Sequence, residues 1–251
     1  MAVDGLVLAV LAGMLGGAMN ALAGGGTFVT LPALIALGLP ATVANATSNF
    51  ALLPGACSSA WVYRDELRPL GGVNVLPLAL ITFLGGLGGG ILLVVTPTRA
   101  FDVIIPWLLL LALVVMLFGA RASAFLQARV TIGRLTLIGA QVLLGIYGGY
   151  FGGGVGLIAT ALYGLLAGIS AREMFAPRTL MLAMANLAAA VIFLWFAMID
   201  WRSCLPMLAG AVAGGWLGAH AGKRLPPILV RYWTLAVTAA TTIVFFVRAY
   251  G

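Results

Sequence analysis

The sequence predicts an all-α polytopic membrane protein made of two inverted repeats, each a glycine-broken helical hairpin followed by three transmembrane helices. Three observations predict it. The chain of 251 residues is 63% hydrophobic and only 8% charged. Apolar runs long enough to cross a ~30 Å hydrocarbon core, about 20 residues as helix, recur from end to end. One order of features also occurs twice: a Gly-x-x-Gly-Gly pattern (Gly13, Gly16, Gly17; Gly145, Gly148, Gly149), a glycine triplet (Gly24, Gly25, Gly26; Gly152, Gly153, Gly154), a Gly-x-x-Ala turn (Gly38, Ala41; Gly168, Ala171), a glycine-rich span and a proline turn (Pro97; Pro226). Shared order at this length is the mark of internal duplication.

In chain order, residues 5–22 form a first apolar segment rich in small residues, closed by Asn20 and the first triplet. It has no basic n-region and is read as a retained segment, not a cleaved signal. A short apolar run follows at 28–37, then a turn at Gly38-Leu39-Pro40. Spans are expected at 41–63, 70–95 and 101–119, separated by a polar loop at 64–69 and a turn at 96–99. Residues 120–134 make the longest connection, with Arg121, Arg129 and Arg134 and no acid. The second half repeats the plan: 135–151, the second triplet, 155–167, a turn at 168–170, and spans at 172–198, 203–221 and 228–248. This divides the chain into a first repeat (1–120), a cytoplasmic connecting loop (121–134) and a second repeat (135–251).

Three adjacent glycines weaken a helix by about 1 kcal/mol each relative to alanine, and they adopt backbone angles closed to other residues. Within a bilayer such a break is tolerated only where protein or a cavity covers the freed backbone groups. The two triplets are therefore the first places to look for a site.

The basic balance of +7 sits mostly in short connections and reads as topology, not as affinity for nucleic acid. It also discriminates between arrangements. If each broken segment crossed once, the loop lysines and arginines would divide seven to five. If each is a hairpin returning to its own side, the division is nine (Arg64, Arg68, Arg121, Arg129, Arg134, Arg172, Lys223, Arg224, Arg231) against three (Arg99, Arg202, Arg248). The positive-inside rule favours the second. Both termini are then expected outside and the 121–134 loop in the cytoplasm. The triplets would approach the midplane from opposite sides, as in secondary transporters.

Within the spans, Arg178 is the most informative residue, because a charge at the centre of a helix costs about 2.5–3.5 kcal/mol on insertion scales. Its fork of donors suits multi-oxygen anions; snorkelling or pairing with Glu173 is the structural alternative. The corresponding part of the first half carries Asn45, Thr47, Ser48 and Asn49 in an otherwise apolar run, with Thr27 beside its triplet. Asn186 joins them from the second half. Such residues can be interhelical glue; their clustering opposite a glycine break favours a substrate-facing role. The triplets add backbone amides at half-helix N-termini, which attract anions. The candidate substrate-binding set is thus Gly24, Gly25, Gly26, Thr27, Asn45, Thr47, Ser48, Asn49, Gly152, Gly153, Gly154, Arg178 and Asn186. The glycines at 85–90 and 210–218 lack polar companions and read as helix-packing faces.

Other chemistry finds no foothold in the sequence. His220 lies at a span end beside Lys223 and reads as interfacial. Cys57 and Cys204 read as small apolar residues. There is no nucleophile–base–acid set, metal-ligand spacing or phosphate loop with a lysine, so neither an enzyme nor a cofactor is expected.

The run N-A-L-A-G-G-G-T-F-V-T-L-P-A-L-I-A-L-G-L-P-A-T-V-A-N-A-T-S-N-F and the second-half stretch G-I-Y-G-G-Y-F-G-G-G-V-G with the 176–201 span resemble the paired signatures of the TauE/SafE family of membrane permeases. The resemblance covers nearly the whole chain. It implies a duplicated permease, often described as a sulfite exporter, for small sulfur-containing or organic anions. Many members carry lysine where Asn49 stands, and Arg178 matches a second-half position that is also often lysine, so one positive charge of a possible pair is absent.

The expected function is therefore a secondary transporter exporting or exchanging small sulfonate- or sulfite-like anions by alternating access. The expected location is the cell membrane, multi-pass, in a bacterial inner membrane. Lipid and a small anion are the expected partners, with no nucleic acid, and the sequence sets no oligomeric state. The alternatives are a passive anion channel and a membrane assembly or structural protein.

Overall fold

The computed structural model describes residues 3–127, 133–167 and 173–251. Among these there is no β-strand, and ten α-helices follow in order: α1 (Val3–Leu22), α2 (Thr27–Ala36), α3 (Ala41–Val62), α4 (Val75–Val95), α5 (Thr98–Gln127), α6 (Arg134–Tyr150), α7 (Val155–Ala167), α8 (Phe175–Trp195), α9 (Trp201–Gly222) and α10 (Pro227–Tyr250). Six of them, α1, α4, α5, α8, α9 and α10, are long and apolar enough to cross a membrane. The 22-residue α3 is as long but carries the Asn/Thr/Ser cluster, α6 has 17 residues, and α2 and α7 are the two short helices that follow the glycine breaks. This is an all-α, multi-pass membrane fold.

Some boundaries differ from expectation for local reasons. The span expected from residue 70 begins at Val75, because Gly71 and Gly72 take positive φ (53° and 74°) and make a turn. That turn is closed by reciprocal 2.9 Å hydrogen bonds between Leu70 and Val73. Thr98 and Arg99, expected in a turn, form the first turn of α5. That helix continues past 119 to Gln127, since the sequence there holds helix-compatible residues and no breaker after Gly119. The loop expected at 121–134 thus begins as helix. Its residues 128–132, with Arg129, lie outside the described residues, as do the 168–170 turn and Arg172. The helix expected from 172 starts at Phe175.

Two glycine seams hold the fold together. On α1 and α9, a methyl added to Gly13, Gly17, Gly210 or Gly214 would lie 2.0, 2.3, 2.1 and 1.9 Å from a backbone carbonyl oxygen of the other helix. On α4 and α6, Gly89 and Gly149 meet the opposing backbone at 2.1 and 2.0 Å by the same measure. Only glycine lets helix backbones approach this closely, and dispersion over the seam replaces the hydrophobic drive that lipid removes.

The seams also fix direction. Val10, Met14 and Ala18 of α1 meet Gly210, Gly214 and Gly218 of α9 in rising order, so these helices run the same way. So do α3 and α9: Thr47 meets Asp200, Ser59 meets Gly215 and Tyr63 meets Ala219. Both α6 (Gly145 and Gly149 on Gly85 and Gly86) and α8 (Ala188 and Ile192 on Gly86 and Gly90) run with α4. The start of α8 faces the end of α3, with the Phe175 and Tyr63 rings 5.6 Å apart, so α3 and α8 run oppositely. The pair α5 and α10 does too, since Asp102 meets Arg248 and Met116 meets Arg231.

Two consequences follow. Because α1 and α3 run the same way, α2 carries the chain back between them; α7 does the same between α6 and α8. And the packing units are not the sequence halves: α9 packs on α1 and α3, while α4 packs on α6 and α8. Each half gives its fourth helix to the other.

Candidate functional site

The two glycine breaks touch. α1 ends where Gly24 takes φ +77°, its N–H bonding the carbonyls of Met19 and Asn20 at 3.0 and 2.9 Å, a left-handed cap open to glycine at little cost. The second break is built likewise, with Gly152 and Gly154 at φ +74° and +79°. The Gly156 N–H donates to the Gly24 carbonyl at 3.2 Å. A methyl on Gly24 would stand 2.3 Å from the Gly156 Cα, so backbone lies on backbone. The Phe28 ring, in the first turn of α2, lies across the second break: methyls on Gly153 and Gly154 would reach it at 3.0 and 2.9 Å. Gly25 packs under the same ring. Thr241 of α10 holds the Phe28 carbonyl at 3.0 Å.

Arg178 enters this junction from the first turn of α8 and is 6% exposed. Its guanidinium donates to the Leu22 carbonyl at 2.7 Å and the Ala21 carbonyl at 3.4 Å. These belong to the C-terminal turn of α1, where the helix dipole presents partial negative charge. The guanidinium carbon sits 4.4 Å from the centre of the Phe175 ring, within cation–π range. Its Nε has no partner. The arginine neither snorkels to the surface nor stands free. It ties the broken end of α1 to α8 and keeps one buried donor unspent. Tyr63 packs on Phe175, its hydroxyl bonded to the Ala219 carbonyl at 2.9 Å. Outside it, Lys223 lies 5.4 Å from the Tyr63 ring and 3.7 Å from Glu66.

The first-half cluster separates into two groups. Asn45 and Asn49, one turn apart on α3, face the second break. The Asn45 Nδ2 donates to the Tyr150 carbonyl at 3.1 Å, which assigns its amide and leaves Oδ1 bare. Neither amide atom of Asn49 has a partner, and a methyl on Gly152 would lie 2.5 Å from its Nδ2. Ser48 turns to the first break: its hydroxyl is 2.5 Å from that of Thr30, which bonds the Gly26 carbonyl at 3.2 Å. Thr47 points elsewhere, accepting the Asp200 N–H at 3.0 Å where α9 begins. Thr27 is buried as the first residue of α2, and Asn186 is buried on α8 two turns beyond Arg178.

Asn20, Thr30 and Gly156 are the members that the residue pattern does not single out. Asn20 accepts the Gly26 N–H at 2.6 Å and leaves its Nδ2 unpaired. The signal for it was a polar residue ending an apolar run; for Gly156 it was one more glycine after the second triplet.

Five buried side-chain atoms among the described residues have no hydrogen-bond partner: Asn20 Nδ2, Asn45 Oδ1, Asn49 Nδ2, Asn49 Oδ1 and Arg178 Nε. All belong to side chains at this junction. An unpaired buried polar group costs about 1–3 kcal/mol, and native structures hold few of them. Their concentration makes this junction the candidate site.

The family described as sulfite exporter TauE/SafE matches residues 9–245. The chain belongs to this family. Among its relatives, a probable membrane transporter protein of Haemophilus influenzae is 28% identical over 243 residues, covering 94% of each chain. A probable membrane transporter protein ORF9 of a Sinorhizobium species is 29% identical over 238 residues, covering 90% of this chain and 88% of the relative. The probable membrane transporter protein YfcA of Escherichia coli K12 is 27% identical over 226 residues, covering 89% and 82%. No solved structure matches the chain. TauE/SafE membership, these relatives and the six long apolar helices together make it a multi-pass membrane transporter.

Proposed function

We propose that the protein is a secondary transporter that exports or exchanges small anions, sulfur-containing or organic, across the bacterial inner membrane by alternating access. The observation that carries this reading is the set of five unpaired polar atoms at the meeting of two broken helices, one of them on the buried Arg178 of α8. A substrate oxyanion there would take up the spare Arg178 donor and the asparagine amides, in a dry site where charge-assisted hydrogen bonds are strong. The halves are read as inverted repeats with both termini outside. The opposed directions of α3 and α8 and of α5 and α10 support this, as does the nine-to-three division of loop cations. The bodies that rock are α1–α3–α9 and α4–α6–α8, because the glycine seams lie within these groups, while the contact of the two breaks and the packing of α3 on α8 lie between them.

Uptake and counterflow in proteoliposomes, with a panel of sulfite, sulfonates and carboxylates, test the reading. Wild type should move at least one of them saturably, with acceleration by the same anion on the far side. Arg178→Gln should lose most of that uptake and Arg178→Lys should retain part. Flux without saturation or counterflow would make the protein a channel, and no movement of any anion would end the transport reading.

A further inference from the structure

We infer that the preferred substrate carries a hydrogen-bond donor, a hydroxyl or equivalent on its carbon skeleton, in addition to its anionic group. The inference rests on the transport reading above and concerns the chemistry of the same site.

The unpaired atoms are of two kinds. Arg178 Nε, Asn20 Nδ2 and one amide nitrogen of Asn49 are donors and suit the oxygens of an anion. Asn45 Oδ1 and the Asn49 oxygen are acceptors, and an oxyanion has no proton to give them; its lone pairs would oppose theirs. The Asn45 assignment is fixed independently of any ligand, because its Nδ2 is spent on the Tyr150 carbonyl at 3.1 Å. Both acceptors stand on one face of α3, a turn apart, and both side chains are at most 1% exposed. They lie against the stretch 150–152, while Arg178 lies against Gly156 on the far side of the same break. The second break thus has a cationic edge and an accepting edge. A ligand filling both must accept at one end and donate at the other. A site built to bond a substrate hydroxyl rejects the analogue that lacks it, because the buried acceptor is then left bare.

The test compares matched anions in proteoliposomes of the full chain: 2-hydroxyethanesulfonate against ethanesulfonate, and lactate against propionate. The hydroxylated member of at least one pair should be taken up about tenfold better at subsaturating concentration. Asn49→Leu removes two unpaired atoms and breaks no hydrogen bond, so the variant should fold at least as stably as wild type while its preference falls toward unity. Asn45→Ala should narrow the preference as well. Equal uptake within both pairs would overturn the inference and leave the transport reading standing. So would a preference that survives in both variants. If no anion of either pair or of the wider panel moves, the transport reading fails and takes this inference with it.

Discussion

Replacing Gly24 by alanine tests whether the two breaks bear on each other. Two costs are expected, and the structure separates them. Gly24 sits at φ +77°, where a side chain meets its own backbone at about 1 kcal/mol. Its added methyl would also stand 2.3 Å from the Cα and 2.8 Å from the nitrogen of Gly156. Carbon atoms in contact keep about 3.5–4.0 Å apart, so one break must withdraw by roughly 1 Å, and overpacking of this kind costs about 1–3 kcal/mol. The sum is about 2–4 kcal/mol. Gly38 isolates the first cost: its φ is +93°, and an added methyl would meet nothing within 4 Å. Gly38→Ala should therefore lose only about 1 kcal/mol. Equilibrium unfolding in mixed detergent micelles, read by circular dichroism, gives both values, and proteoliposome uptake gives the functional effect. Gly24→Ala should be the less stable by about 1–3 kcal/mol and should transport poorly, because its displaced break carries the carbonyls that hold Arg178. Equal losses in the two variants would refute contact between the breaks.

Two further substitutions separate scaffold from site. Thr47→Val removes the acceptor for the Asp200 N–H; it should cost about 1 kcal/mol of stability and leave the concentration for half-maximal uptake unchanged. Tyr163→Phe breaks a buried network in which Tyr163 donates to Gln141 at 3.0 Å and Gln141 donates to Thr82; it should lower stability by about 1–3 kcal/mol, with wild-type anion selectivity retained in uptake assays.

Much of the architecture is legible in the residues. Apolar length gives the spans, and the paired triplets give the breaks, each at the same place in a repeated order of features; the third triplet, Gly88 to Gly90, stays helical within α4, where Gly89 and Gly90 pack on α6 and α8. The glycines of 85–90 and 210–218 were readable as packing faces and are so. The exchange of α4 and α9 between the halves was not readable: glycine spacing shows that a helix has a close partner but not which one. Nor could the pattern sort the polar cluster of α3. Thr47 and Ser48 are neighbours in sequence, yet the 100° turn between adjacent helical residues sends one to α9 and the other to the first break. Asn20 was visible only as a terminator, because its role depends on the chain folding back to offer it the Gly26 N–H. The length of α5 is not legible, because its last turns are polar and suggest a loop although their helix propensity is intact.

The central claim is that an anion binds beside Arg178 at the junction of the breaks. Ligand-dependent thermal stabilisation of the purified protein measures it without requiring transport. An anion taken up by wild type, added at about 100 times its Kd, should stabilise the wild-type fold by about 2.7 kcal/mol. It should do little for Arg178→Gln, whose amide can fill the space but supplies no charge. Equal stabilisation of the two proteins by the same anion would contradict the account, because the anion would then be binding somewhere other than at the arginine.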